Sequence, residues 1–389
     1  MSSKVLQFFS GRMGQMMRIE AACKGVDNII WVHSSSYGEF EEARPVIAAI
    51  RAKHPEYKFL ATFFSPSGYE YLKNDPVVDF VFYLPLDIPG NARRFLDAVR
   101  PVKVIVSISD YWLGFLHELR RRGIPAYLIS ARFVQKMIYF KPIGKPYLNA
   151  FKTCFTKIIV NSESSYNVLK ANGLANIALA GDPRMDRVTA IAAQPWSDAI
   201  VDEWSCGRKV FVAGSTLPDE DDECIIAAAN ANPDDKFLVI PHEQGKAQLA
   251  HLQSAIKEKT VLYTQAGDDV REAQVLIVDT VGMLSKLYRY GFAAFVGSGF
   301  GGGSPHSVIE PAAYGIPVSF GPIFGVQMHC EKMVAAGAAQ AVSGREEFCA
   351  WYKRLKDNPE YCRAMGEAAA RYCAGSSGVA EAIAEMIMN

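Results

Sequence analysis

The stretch Gly291 to Gly321, GFAAFVGSGFGGGSPHSVIEPAAYGIPVSFG, constrains the fold more than any other. Phe292 to Val296 is an apolar run of strand type, and Ser304-Pro305 reads as the opening of a helix. Gly315-Ile316-Pro317-Val318 is a helix stop followed at once by a second apolar strand. The glycine loop therefore falls at the carboxyl edge of a parallel sheet, where open α/β folds place their ligands. Gly297, Gly299, Gly301, Gly302 and Gly303 lack a Cβ where backbone could approach a ligand, and free N–H groups at a helix start favour a phosphate. The same glycines could serve only to turn the chain.

The rest of the chain repeats this grammar. Strand-like runs at Ile29 to His33, Tyr57 to Phe63, Val78 to Tyr83, Val102 to Ser107, Pro125 to Ile129 and Lys157 to Val160 alternate with segments of helical spacing. After a polar, proline-containing stretch the alternation resumes at Lys209 to Ala213, Lys236 to Ile240, Thr260 to Tyr263, Val275 to Val278, Phe292 to Val296 and Ile316 to Phe320. This predicts an α/β protein of two Rossmann-like, doubly wound domains facing across a cleft. The expected division is residues 1–182, a linker 183–207, and residues 208–389. The final helical stretch, Glu360 to Met388, is long enough to pack back on the first domain.

Composition narrows the function. The eight cysteines are scattered, with no CxxC pair and no zinc-type spacing, so a reducing cytosol with no structural metal and no cofactor is the simplest expectation. No apolar run is long enough to span a bilayer, so membrane association would be peripheral. Net charge is zero, yet residues 1–180 hold 23 Lys and Arg against 14 Asp and Glu, and the remainder holds 18 against 27. Within the basic half, residues 132–157 carry Arg132, Lys136, Lys141, Lys145, Lys152 and Lys157 with no acid, interleaved with aromatic residues. That density suits an anionic membrane surface, or else a solvated face over an apolar core. No nucleic-acid motif is present, and no nucleic-acid partner is expected.

Candidate chemistry gathers at strand ends. Ile29 to His33 leads into Ser34-Ser35-Ser36-Tyr37-Gly38-Glu39, which places Glu39 as a general base or, equally, as one half of a capping box with Ser36. Glu41 and Glu42 read as solvated helix-face residues. Asp110 could bind a hydroxyl, orient the base, or cap the helix beginning near Leu113. His33 and His306 lie in loops, where a histidine is structural or binds a ligand. On the second half, Ser215 and Thr216 offer hydroxyls at a helix start, the amides near Gly282 can meet a base edge or phosphate, and Glu310 can take a ribose diol.

Ten ordered blocks then carry a resemblance: WVHSSSYGEFEEARPVI, FFSPSGYE, FYLPLD with NARRFLD, ELRRRGIPAYLISARF, AGDPRMDRV, VAGST, IPHE, DTVGMLSKLYRYG and GFGGGSPHSVIEPAAYGIPVSFGP. The chain resembles bacterial 3-deoxy-D-manno-octulosonic acid (Kdo) transferase, an inverting GT-B glycosyltransferase, most strongly the form of Bacteroides-like bacteria. The resemblance implies that Glu39 is the base deprotonating a glucosamine hydroxyl of the lipid A precursor (lipid IVA) for attack on CMP-Kdo. It implies that Ser215, the Gly282 and Met283 amides, His306, Ser307 and Glu310 hold the nucleotide. Arg132 and Arg184 match basic positions for the Kdo carboxylate or an acceptor phosphate. The implied location is the cytoplasmic face of the bacterial inner membrane. Three positions depart from the family: Asp110 stands for Glu, Ser307 for Asn, and His242 for Arg after Pro241, which weakens a phosphate contact. The apolar N-terminal anchor usual in the family is not seen, so either the chain is shortened or docking falls to residues 132–157. A GT-B transferase or epimerase using a UDP-sugar, and a non-catalytic sugar or nucleotide binder, are the competing expectations.

Overall fold

Strands buried on both faces read as continuous apolar runs, and those runs fold here into two all-parallel sheets. The computed structural model describes residues 11–301, 303–325 and 327–389. The chain divides into two units, one of residues 1–186 with 378–389 and one of residues 187–377.

The first unit holds β1 (Ile29–Ser34), β2 (Lys58–Phe63), β3 (Phe80–Tyr83), β4 (Lys103–Ser107), β5 (Ala126–Ala131), β6 (Lys157–Val160) and β7 (Ile177–Leu179). Their order is β3-β2-β1-β4-β5-β6-β7. The strand order therefore reverses between β1 and β4, which opens a crevice at their carboxyl ends. Alternation along β1 splits the core. Ile29 and Trp31 face one cluster with Phe95, Phe115 and Phe151, whereas Ile30 and Val32 face another with Phe40, Val46 and Ile50.

That second cluster is completed by the end of the chain. The helical stretch from Glu360 is not continuous: one helix, Pro359–Ala374, belongs to the second unit, and Val379–Met388 belongs to the first. Ser376, Ser377 and Gly378, with Gly378 at φ 81, break it. Val379, Ala380, Ile383, Ala384 and Ile387 line one face of the last helix and pack on the helix Tyr37–Lys53. Its first amides, at Gly378 and Ala380, donate to the Asp186 carboxylate, which supplies the cap the helix lacks in its own sequence. The stretch 183–207 contains two helices, Arg184–Ala193 and Ala199–Ser205.

The second unit holds β8 (Val210–Thr216), β9 (Phe237–Pro241), β10 (Thr260–Leu262), β11 (Val275–Ile277), β12 (Gly291–Val296), β13 (Val318–Phe320) and β14 (Ala339–Ala341), in the order β10-β11-β9-β8-β12-β13-β14. Its reversal lies between β8 and β12. Both units are thus doubly wound, Rossmann-like layers, each with one crevice position.

Candidate functional site

On the first unit, Glu39 stands in the first turn of the helix that follows β1. Its Oε2 accepts from the Ser35 amide at 2.9 Å, and its Oε1 accepts from the Ser109 hydroxyl, on the loop after β4, at 2.8 Å. The Ser107 hydroxyl donates to the Glu39 carbonyl at 2.7 Å. The carboxylate is therefore held between β1 and β4, where the strand order reverses. Burial pushes it above the ordinary carboxylate value, the Ser109 and Ser35 donors oppose this, and the charge of Asp110 adds to it. The capping box is not formed: Ser36 makes no side-chain cap, and Glu39 reaches back to Ser35 instead. This leaves the carboxylate spanning two loops, the geometry of a positioned base.

Asp110 is likewise no cap. The helix Leu113–Arg122 has Trp112 at its N-cap without a side-chain bond, and the Gly114 amide donates to Asp87 at 2.9 Å. Asp110 Oδ2 lies 3.6 Å from His33 Nε2. The loop that carries Ser109 and Asp110 is strained, since Ile108 and Asp110 both have left-handed backbone, at φ 62 and 67. For a β-branched residue such a conformation costs about 1–3 kcal/mol and persists only when neighbours enforce it. Here the Ile108 amide bonds the Ile129 carbonyl, and the Tyr111 hydroxyl, set among Phe133, Tyr139 and Phe151, bonds the Ile108 carbonyl at 2.7 Å.

One turn along from Glu39, Glu42 is not solvated but 1% exposed. Its Oε1 is 3.1 Å from Arg184 Nε and 3.3 Å from Arg132 Nη2, and Arg184 also pairs with Asp182 at 2.6 Å. Burial, followed by the neighbouring Asp182, pushes Glu42 up to about 7. Arg132 and Arg184 are therefore anchored on buried carboxyl groups, and each keeps part of its side chain exposed, 34% and 23% respectively.

The region 132–157 is also more divided than its composition suggests. Phe133 and Phe151 are fully buried, and Tyr139, Phe140 and Tyr147 pack against the same core. What faces outward is Lys136, Lys141, Lys145 and Lys152 with Val134, Ile138 and Ile143, the last 76% exposed. Among the described residues no helix is long and apolar enough to cross a membrane.

On the second unit, the loops after β8 and β12 meet at that sheet's reversal. Asp221 joins them, accepting from the Leu217 amide at 2.8 Å and the Ser298 amide at 2.7 Å, and burial pushes it up to about 6. The glycines separate into two kinds. A Cβ on Gly297 would sit 2.1 Å from the Ser215 carbonyl oxygen, and one on Gly321 would sit 2.4 Å from the Gly299 carbonyl carbon, so these answer to the protein's own backbone. Gly301 has open space around the Cβ position, and for Gly303 the nearest atom is Ser298 Oγ at 3.7 Å. These two leave room for a ligand, and Gly302 lies outside the described residues. The helix expected at Ser304-Pro305 starts later and is short, Ile309–Ala312, with Glu310 in its first turn. Pro305 lies in irregular chain, so the helix dipole expected at this loop is not formed there.

His306 belongs to this loop, its amide donating to the Gly297 carbonyl at 3.2 Å. Its ring stacks on His242, with centroids 4.2 Å apart and planes 20° apart. Burial, then the neighbouring His242, pulls His306 down to about 4. Ser215 adopts φ 55 and is half-buried, and Ser307 is half-buried in the same loop as His306. Thr216 is fully buried at the end of β8, where its carbonyl accepts from the His242 amide, so its hydroxyl lies beneath the loops. Gly282, at φ 88, is exposed, and Met283 receives the Thr280 hydroxyl on its sulfur. Ser109, Asp221 and the buried Glu42 are the site residues that sequence reasoning passed over. Ser109 is signalled only by a polar Ser-Ile-Ser-Asp run after β4, Glu42 reads as a solvated helix-face residue, and Asp221 sits in an acidic run that carries no local signal of burial.

Comparison with known proteins follows this division. Residues 8–187 match the family model of the 3-deoxy-D-manno-octulosonic-acid transferase N-terminal domain. The 3-deoxy-D-manno-octulosonic acid transferase of Haemophilus influenzae is 27% identical over 304 residues, 75% of this chain and 70% of the relative. That of Aquifex aeolicus is 25% identical over 77% of each chain, and that of Bordetella pertussis is 26% identical over 90% of this chain and 84% of the relative. Among solved structures, UDP-GlcNAc 2-epimerase from Neisseria meningitidis bound to UDP-GlcNAc superposes with a TM-score of 0.66 at 15% identity, covering 92% of this chain and 99% of that one. A UDP-N-acetylglucosamine 2-epimerase from Listeria monocytogenes gives 0.62 at 14% identity, covering 91% and 94%. These structural likenesses show a fold of GT-B type, two Rossmann-like domains in one chain. Residues 8–187 thus match the 3-deoxy-D-manno-octulosonic-acid transferase domain, and over most of its length the chain is similar to glycosyltransferases of that name.

Proposed function

We propose that this chain transfers Kdo from CMP-Kdo to a glucosamine hydroxyl of the lipid A precursor, with inversion at the anomeric carbon. The observation that carries the reading is the Glu39 carboxylate, half-buried, above its ordinary pKa, and fixed by donors from two loops at 2.9 and 2.8 Å. A base so held accepts the hydroxyl proton as the new glycosidic bond forms and the bond to the CMP phosphate breaks. On the second domain, Ser215, Ser307, His306, Glu310 and the amides around Gly282, Met283, Gly301 and Gly303 hold the nucleotide. Their preorganised N–H groups receive the charge that grows on the departing phosphate. The exposed parts of Arg132 and Arg184 take the Kdo carboxylate or an acceptor phosphate, and the outward lysines with Ile138 and Ile143 rest the first domain on the anionic cytoplasmic face of the inner membrane.

Mass spectrometry of tetra-acylated lipid A precursor incubated with the protein and CMP-Kdo tests this, with each transfer adding one Kdo mass. Turnover of UDP-sugars alone would sink it. Glu39→Gln should bind CMP-Kdo nearly as the parent does and lose transfer by a factor of ~10²–10⁴. Retained transfer in that variant would remove Glu39 from the role of base.

A further inference from the structure

The two loops that grip Glu39 are themselves joined beneath it by His33 and Asp110. His33 is 2% exposed, the fifth residue of β1. Its Nδ1 lies 3.1 Å from the Thr62 carbonyl oxygen and 2.9 Å from Thr62 Oγ1, and that hydroxyl oxygen already receives the Trp31 indole N–H at 2.8 Å. A proton on Nδ1 serves both Thr62 oxygens, since the carbonyl can only accept; the alternative, the Thr62 hydroxyl donating to a bare Nδ1, leaves that carbonyl facing a lone pair at 3.1 Å. Neutral His33 would then have a bare Nε2, and this atom faces Asp110 Oδ2 at 3.6 Å. Both atoms are buried, and among the described residues neither has another hydrogen-bond partner. Two buried acceptors facing each other repel, and a further proton on Nε2 removes the repulsion and pairs His33 with Asp110, whose side chain is 21% exposed.

We propose that His33 is a positioning residue for the transfer reaction: as an imidazolium paired with Asp110 it neutralises that carboxylate beside Glu39 and ties the β1 loop to the β4 loop. The inference rests on the reading of Glu39 as the base. His33 stands two residues before Ser35, and Asp110 one residue after Ser109, the two donors to the Glu39 carboxylate. The charges that reach Glu39 are those of His33 on β1 and Asp110 on the loop after β4, and the Tyr111 hydroxyl on that loop stays protonated, its pKa pushed up by burial. On its own helix Glu42 is matched by Arg132 and Arg184. His33 is thus the one cation that directly offsets Asp110 among these groups. A paired Asp110 eases ionisation of Glu39, whereas a lone carboxylate there would push the base further up.

Two measurements decide it. Ring-nitrogen NMR of the ¹⁵N-histidine-labelled full chain at pH 7, with His33 assigned by its absence in His33→Gln, should show both His33 nitrogens protonated. A bare Nε2 would overturn the proposal, and this readout needs no turnover. The second is the pH profile of CMP release from CMP-Kdo with lipid A precursor. His33→Gln keeps a donor toward Asp110 but removes the charge, so the acid limb should move up by about one pH unit, a tenfold loss of rate below the limb. The double variant His33→Gln/Asp110→Asn should bring the limb back toward its original position. An acid limb unmoved in a folded His33→Gln protein would assign His33 to packing alone. Active Glu39→Gln, with both His33 nitrogens still protonated, would fail the base and not the ion pair.

Discussion

Anion binding to the glycine loop should draw a proton into the protein, and His306 sets how much. In the free domain burial and His242 hold this ring at about 4, below the ordinary histidine value. A phosphate seated beside His306 replaces that environment with a negative charge and favours the imidazolium. If the bound value returns to about 6.5, the ring goes from ~3% to ~90% protonated at pH 5.5, an uptake of ~0.9 proton per CMP. At pH 7.5 the uptake falls to ~0.1. Affinity should therefore strengthen up to tenfold for each pH unit lost between about 6.5 and 4.

Isothermal titration of CMP in buffers of differing ionisation enthalpy measures this directly. His306→Gln should abolish the uptake, and His242→Gln, which removes the neighbouring charge, should raise the free value and shrink it. Tight binding without proton uptake at pH 5.5 would refute the placement of the phosphate beside His306. The same shift fixes a sign for stability without ligand. Because the folded ring is depressed, the unfolded chain binds more protons between pH 6.5 and 4, so stability is full above about 6.5 and is lost as pH falls through about 4. The loss is at most roughly 3 kcal/mol, reduced by the hydration this half-buried ring retains.

Two further outcomes follow from packing. Ile383→Ala, in the fully buried face of the last helix, should cost about 2–5 kcal/mol and act on the first domain, read as lowered denaturation midpoint and faster amide exchange in the helix Tyr37–Lys53 that carries Glu39. Gly321→Ala meets the Gly299 backbone at 2.4 Å and should destabilise the second domain, whereas Gly301→Ala enters open space and should leave stability unchanged while weakening CMP binding; equal stability losses in a thermal melt would contradict the division of the glycines.

The parallel sheets were legible because their strands are covered on both faces, so Ile29-Ile30-Trp31-Val32 and Phe211-Val212-Ala213 read as unbroken apolar runs. β7 and β14 escaped because three residues carry no period and each is partly exposed. Glu39 was legible as a strand-end carboxylate before a helix, but its partner Ser109 lies 70 residues away. Only the β1–β4 pairing brings the two together. Asp110 illustrates the converse error. Local sequence favours a cap three residues ahead of a helix, whereas the cap comes from Asp87, 27 residues upstream, and Asp110 is turned by left-handed backbone toward His33.

The capping box and the general base are rival accounts of Glu39 in the sequence, and the geometry separates them by a single residue. A box would have pointed the carboxylate back at Ser36 and spent it within its own helix turn. By reaching Ser35 and Ser109 instead, the carboxylate bridges the carboxyl ends of β1 and β4, the one place in this sheet where helices depart to opposite faces and leave a crevice. The second sheet repeats the logic with different chemistry, since Asp221 ties the loops after β8 and β12 at its own reversal while Gly301 and Gly303 stay open beside it. In each domain a carboxylate and two strand-end loops mark the reversal, but only in the first are the carboxylate's donors on residues that leave it half-exposed. Asp221 is buried as a tie between loops, and Glu39 is held by loops as a reagent.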